Sequence, residues 1–240
     1  MAFTSIFERQ EYKYILTGKQ KQNILKAMAE HGMEIDEYGR TTIRNVYFDT
    51  ESYRLIRRSI ESPVYKEKLR LRSYSTANEN STVFVELKKK YDHVVYKRRI
   101  PLGAKVAEDW LLGKTERPAD TQIAREIDYF LSFYKTLRPA LFLSYEREAY
   151  YSKSGGDLRI TFDENILSRQ YDMSLKCEVG GDLILAGDLT LMEIKSGGAI
   201  PKWLAKALSK NSLYKTSFSK YGNAYINSIY PKTRGEIQYA

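Results

Sequence analysis

Alternation dominates the chain. In residues 65 to 74, "YKEKLRLRSY", Lys66, Lys68, Arg70 and Arg72 fall on every second position, with Leu69 and Leu71 between them. A strand sends alternate side chains to opposite faces, so this pattern predicts a strand with one cationic and one apolar face. The same design recurs in "FERQEYKYIL", with Arg9, Glu11 and Lys13 on one face. In "STVFVELKKKYDHVVYKRRIPL" it predicts a hairpin turning near Asp92 and His93. The first arm places Glu86, Lys88 and Lys90 opposite Val83, Val85 and Leu87, and the second places Lys97 and Arg99 together. Strands are also predicted at "TIRNVYFDT", "LFLSYEREAYY", "DLRITFDENI" and "LTLMEIKS", with a shorter one at "LKCEV" holding Cys177.

A second period marks the helices. Ile24, Leu25, Met28 and Met33 recur at helical spacing behind Thr17, a suitable first-turn cap. Ile123, Ile127, Phe130, Leu131 and Tyr134 form an apolar stripe between Asp120 and Leu137, and Pro139 is expected to end it. Shorter helices are predicted at "SYRLIRRSI", at "KWLAKALSK" behind Pro201, and at "SKYGNAYINSIY". Trp110 and Trp203 lie in apolar helical contexts and are expected in the core.

Taken singly, each strand reads as half-buried sheet with its charged row in water. Taken together, the strands are numerous enough for an antiparallel sheet to close on itself, with helices covering outward-facing apolar rows. The charged rows would then line a bore. Cations and carboxylates enclosed together call for a polyanionic ligand and a divalent ion. The expected architecture is therefore α+β, a closed antiparallel β-tunnel with helices packed outside, formed by residues 1–240 as one domain.

Composition agrees with an anionic partner. The 240-residue chain carries a formal net charge of +9 and has a pI near 9.3. Its 20 tyrosines favour a sheet-rich fold. Most are expected opposite the cationic rows, which argues against nucleic acid, because single-strand binders set aromatics and cations on one accessible face. Apolar runs are too short to span a bilayer, and no secretory leader is evident at the start. The single Cys177 excludes an internal disulfide and points to a reducing, cytoplasmic setting. His31 and His93 have no partners at metal-ligand spacing.

Arginine offers a planar fork to two phosphate oxygens, lysine a mobile point charge, and a carboxylate can hold Mg²⁺ or Mn²⁺ against the same oxygens. In order along the chain, "FERQEYKYIL", "IRNVYFDT", "YKEKLRLRSY", "VFVELKKKYDHVVYKRRI", "YEREAYY", "LRITFDENI", "LMEIKSGGAIPKWL" and "FSKYGNAYI" resemble the motifs of the vacuolar transporter chaperone (VTC) domain, a family of triphosphate tunnel metalloenzymes. The resemblance implies polyphosphate synthesis from ATP, with inorganic phosphate and polyphosphate as further ligands, and allows a membrane-protein partner. It implies that Arg9 and Lys13 are the basic positions of the first strand, Arg70 and Arg72 those of the opening stretch, Lys88 and Lys97 the hairpin lysines, and Arg147 and Arg159 the later arginines. Glu193 matches the metal-binding glutamate, with Glu11 a second candidate, and Ser219 with Lys220 matches a Ser-Lys pair. Lys68, Arg99 and Lys195 share the same rows and join the candidate phosphate contacts. Where the wider superfamily often opens with Glu-x-Glu-x-Lys, this chain has Arg9-Gln10-Glu11-Tyr12-Lys13, which favours a VTC-like phosphate site over a carboxylate-rich triphosphatase site. The alternatives are a tunnel-fold phosphohydrolase and a non-catalytic module that binds polyphosphate or inositol phosphates.

Overall fold

The computed structural model describes residues 10–61, 63–92, 94–153 and 155–231. Arg9 and His93 lie outside them. Among the described residues, nine strands and six helices follow one another as β1 (Gln10–Thr17), α1 (Gly18–Glu30), β2 (Met33–Asp49), α2 (Arg54–Ile60), β3 (Tyr65–Ser73), β4 (Thr82–Tyr91), β5 (Val94–Gly103), α3 (Ala104–Leu111), α4 (Gln122–Tyr134), β6 (Arg138–Ser152), β7 (Arg159–Arg169), β8 (Asp182–Leu183), β9 (Leu189–Ser196), α5 (Lys202–Lys210) and α6 (Lys220–Ala224). A π-helical turn, Tyr225–Ile229, extends α6.

The hydrogen-bonded order is β1-β9-β7-β6-β2-β3-β4-β5, with β8 on β7. The α+β class with helices beside an antiparallel sheet is as expected. Closure is not: the order ends at β1 and β5, and among the described residues no ladder joins them. Alternation predicts which face a side chain takes, but it carries no term for which edges meet.

Contacts divide the chain into two compact units. The first comprises residues up to 42, 145–166 and 185–219. Its β1 pairs antiparallel with β9 from Gln10↔Ser196 to Thr17↔Leu189, and β9 pairs with β7 from Lys195↔Arg159 to Leu191↔Asp163. One face of these strands buries Tyr14, Leu16, Ile160, Phe162, Met192 and Ile194 against Ile24 and Met28 of α1 and Leu204 and Leu208 of α5. α1 starts at Thr17, whose hydroxyl accepts from the Gln20 N–H while the Gln20 side chain accepts from the Thr17 N–H, a reciprocal cap. Trp203 is half-buried rather than core, and its ring stacks on His31 at 4.6 Å.

The second unit comprises residues 43–144, 167–184 and from 220 onward. Here β3, β4 and β5 form an antiparallel meander. Val46, Phe48, Leu69, Leu71, Val83, Val85 and Leu87 pack on Trp110 of α3 and on Ile127 and Phe130 of α4. Trp110 is buried as expected, and its Nε1–H donates to Asp128 at 2.8 Å. α4 stops at Tyr134, because Lys135 turns to φ +55°; Pro139, expected to end the helix, instead lies inside β6. Cys177 is not in a strand and is only half-buried. Its segment is irregular, held by Arg169, whose guanidinium donates to the carbonyls of Tyr171, Asp172, Glu178 and Gly180.

Candidate functional site

Each unit gathers part of the charged rows, and each constellation follows from strand register. In the first unit, Lys13 stands opposite Glu193, Glu11 opposite Lys195, and Thr161 opposite Glu193. The Lys13 ammonium lies 3.3 Å from Glu11 and 3.5 Å from Glu193, and donates to the Phe218 carbonyl at 2.9 Å. Arg147 grips Asp163 with two parallel bonds of 2.6 Å and reaches Glu193 at 3.7 Å. Lys195 lies 3.9 Å from Glu193. Asp163 is fully buried and Glu193 nearly so. Burial alone would push the Arg147 guanidinium toward losing its proton, but Asp163 outweighs it and drives the group well above its ordinary value. Thr161 carries a buried hydroxyl that has no hydrogen-bond partner among the described residues.

Glu86 is the centre of the second unit's constellation and is only 2% exposed. Arg70 donates to it from Nε at 2.8 Å and from Nη2 at 2.7 Å, Lys97 reaches it at 2.9 Å, Arg99 at 3.4 Å and Arg72 at 3.7 Å. Burial opposes its ionisation, yet Arg70, Arg72 and Lys97 outweigh burial and hold the carboxyl well below the usual range. Neutral groups brace the arginines: Arg72 donates to Asn45 at 2.9 Å, Arg70 to the Tyr47 hydroxyl at 3.1 Å, and Arg99 to the Tyr74 hydroxyl at 2.8 Å. Arg99 also lies flat against Phe84, 3.6 Å from the ring centre. Lys68 stands opposite Lys88, and Lys88 opposite Lys97, on the same face.

Register thus brings together Lys13, Glu11, Glu193 and Lys195 in one unit, where Arg147 joins them through Asp163 and Glu193, and Arg70, Arg72, Lys97, Arg99, Lys68 and Lys88 in the other. Arg159 shares a face with Lys195, but its side chain is 56% exposed and turns to Asp36 at 3.3 Å. Ser219 and Lys220 stand at the start of α6. Asn45 and Tyr47 were not singled out from sequence, although extending the alternation along β2 would have found them; alternation in "DLRITFD" puts Thr161 and Asp163 in the row of Arg159, without marking either as a site residue. Tyr47, Tyr74 and Tyr145 are exceptions to the expectation that most tyrosines lie opposite the cationic rows. Their rings lie 5.9, 5.4 and 5.1 Å from Arg70, Arg99 and Arg147. Cation–π attraction accounts for that placement.

A groove of about 470 Å³ between α3 and α4, lined by Trp110, Arg117 and Asp128, contains none of these residues. Its Arg117 is already paired with Asp120 and Asp128.

These features define an α+β protein whose antiparallel strands bury carboxylates under an excess of arginine and lysine. The chain belongs to the VTC domain family, whose model matches residues 8–229. No curated protein matches it. Among solved structures, a protein provisionally assigned as an adenylate cyclase from Bacillus halodurans is similar with a TM-score of 0.51 and 15% identity, over 90% of this chain and 94% of that one. A Hippeastrum protein, provisionally an adenylyl cyclase and described as revealing a dominant triphosphatase activity, is similar with a TM-score of 0.49 and 13% identity, over 88% and 92%. The Bacillus likeness shows a shared fold. No helix among the described residues is long and apolar enough to cross a membrane.

Proposed function

We propose that this VTC domain is an ATP-dependent polyphosphate polymerase. A terminal phosphate oxygen of the acceptor, inorganic phosphate or a growing chain, attacks the γ-phosphorus of ATP. The bond to the β,γ-bridging oxygen breaks and ADP leaves. Such a transfer needs positioning and charge neutralisation more than a covalent nucleophile. The observation that carries the reading is the cluster at Glu86, where Arg70, Arg72, Lys97 and Arg99 converge on one buried carboxylate. Charge-assisted bonds contribute about 1.5 to 3 kcal/mol each, so several arginines can offset the desolvation of a phosphate chain. Lys68 and Lys88, on the same face of the second unit, add mobile charges suited to successive phosphates.

Mg²⁺ or Mn²⁺ belongs to this proposal. Among the described residues no three acidic, histidine or cysteine side chains converge as a ligand group. Glu193 and Glu11 flank Lys13, and the Thr161 hydroxyl, without a hydrogen-bond partner among the described residues, stands opposite Glu193. That set fits an ion held by one or two carboxylates and completed by phosphate oxygens and water, the usual arrangement for Mg²⁺. When bound, the ion supplies neutralisation of charge on the transferring phosphoryl group.

Incubation with ATP and Mn²⁺, followed by gel separation of the phosphate products, tests the reading. Chains of increasing length are expected. Free phosphate without chains makes the protein a hydrolase, and tight binding of triphosphate without turnover makes it a phosphate-binding module.

A further inference from the structure

Arg70 is braced by a path of buried side chains. Its Nη1 donates to the Tyr47 hydroxyl at 3.1 Å, and the Tyr47 ring packs on Tyr221 with centres 4.8 Å apart. The Tyr221 hydroxyl donates to Asp49 Oδ2 at 3.0 Å. Asp49 is fully buried and accepts three backbone N–H bonds as well, from Thr50 at 2.8 Å, Leu55 at 2.9 Å and Ile56 at 3.0 Å. Both tyrosines are nearly inaccessible. A carboxylate with four donors on it is fixed in place, and whatever it holds is fixed with it.

We infer that Tyr47 and Tyr221, anchored by Asp49, are positioning residues that set the direction of the Arg70 guanidinium toward a condensed phosphate. The physical need is plain. Arginine recognises phosphate through a planar fork, and a fork that rotates freely about its own stem must be ordered again at each binding event. Glu86 fixes one edge of the Arg70 guanidinium through Nε and Nη2, and Tyr47 takes the third nitrogen, Nη1. Two constraints on one plane leave it no rotation to lose. Tyr221 also belongs to the first turn of α6, next to Lys220, so its bond to Asp49 seats that turn on the end of β2. This inference rests on the polyphosphate reading for the identity of the ligand, but not for the geometry of the brace.

Tripolyphosphate affinity, measured by calorimetry, tests it in Y47F, Y221F and R70A, each alone and each tyrosine variant combined with R70A. Y47F is expected to weaken binding about tenfold, the scale of one hydrogen bond to a charged group. Y221F, which loses only the hydroxyl, is expected to weaken it about threefold, since one step more remote from the guanidinium. In the R70A background neither substitution should weaken it further. A merely structural role would lower affinity in both backgrounds, and that result overturns the inference. If the wild-type protein does not bind tripolyphosphate, the polyphosphate reading fails, and the side-chain Nε–H resonance of Arg70 in the ligand-free protein decides the brace instead. It should shift and broaden in Y47F and Y221F. An unchanged resonance in both overturns it.

Discussion

Arg70 and Glu86 stand directly opposite each other on β3 and β4, with Nη2 2.7 Å from Oε2, and Lys97 and Arg99 approach the same carboxylate through Oε1. Glu86 is thus the counter-charge that allows several cations to share one face. Removing one partner from a buried ion cluster leaves the others uncompensated, typically at about 3 to 5 kcal/mol. E86Q is expected to lower stability by about 3 kcal/mol in urea denaturation at low salt. Tripolyphosphate should restore part of that loss, because an external anion takes over the missing charge. A loss that no anion relieves would count against phosphate as the ligand of this cluster.

Glu193 is the better metal candidate of the two, since it is nearly buried while Glu11 is more open, and Thr161 stands across from it. E193Q is expected to reduce Mn²⁺-dependent turnover by about 100-fold, and E11Q by about tenfold. Raising Mn²⁺ should recover part of the E11Q loss and little of the E193Q loss. Steady-state rates across a metal titration read both effects, and equal responses would refute the ranking.

Much of this arrangement was legible because alternation is local. Glu86, Lys88 and Lys97 share a face for the same reason that Val83, Val85 and Leu87 share the other, and a short hairpin fixes their register. The pairing of β1 with β9 was not legible, since it joins segments far apart in sequence and depends on the whole core. Glu67 shows another limit. Parity puts it on the apolar row with Leu69 and Leu71, and the structure buries it there, accepting from the Tyr65 and Tyr134 hydroxyls at 2.6 Å each. A buried carboxylate needs such donors, and one of them comes from a helix that nothing in the strand's own sequence announces. Arg147 illustrates the converse. The resemblance gives it only a place among the later arginines, and nothing in its own strand announces the fully buried Asp163 that its Nε and Nη2 grip at 2.6 Å.

Gly181 holds the start of β8 against β7. Its φ is +121°, and an added Cβ would lie 2.2 Å from the Ser168 carbonyl oxygen. Backbone cannot yield as a side chain can, so G181A is expected to cost about 3 kcal/mol, combining an unfavourable conformation with a clash. Gly198, where a Cβ meets nothing within 4 Å, supplies the control. G198A should stay within about 0.5 kcal/mol of the parent in thermal and chemical denaturation.

The reciprocal cap at Thr17 predicts a smaller, separable effect. T17A removes the acceptor for the Gln20 N–H at the start of α1 and should cost about 1 kcal/mol. Hydrogen exchange should speed up at the first turn of α1, with the cluster around Glu86 unchanged.

Two buried carboxylates carry opposite pH signatures, and their difference can be measured. Glu86 is held below its ordinary value: burial opposes ionisation, but Arg70, Arg72 and Lys97 outweigh it. An unfolded glutamate titrates near about pH 4.3, so below that value the unfolded chain gains a proton that the folded protein refuses. The stabilisation from Glu86 is therefore present above about pH 4.3 and lost as pH falls toward the depressed folded value. Asp49 runs the other way. Burial raises it above its ordinary value in spite of the N–H groups of Leu55, Ile56 and Thr50 and the Tyr221 hydroxyl. Its contribution is fully present below the unfolded aspartate value of about 3.9 and is lost as pH rises through the folded one. Urea denaturation between about pH 3 and pH 6 should then show a shallower acid loss in E86Q than in the parent, and a steeper one in D49N. The same change of slope in both variants would mean that one of the two directions is wrong, since no single shift of the unfolded state moves the two curves apart.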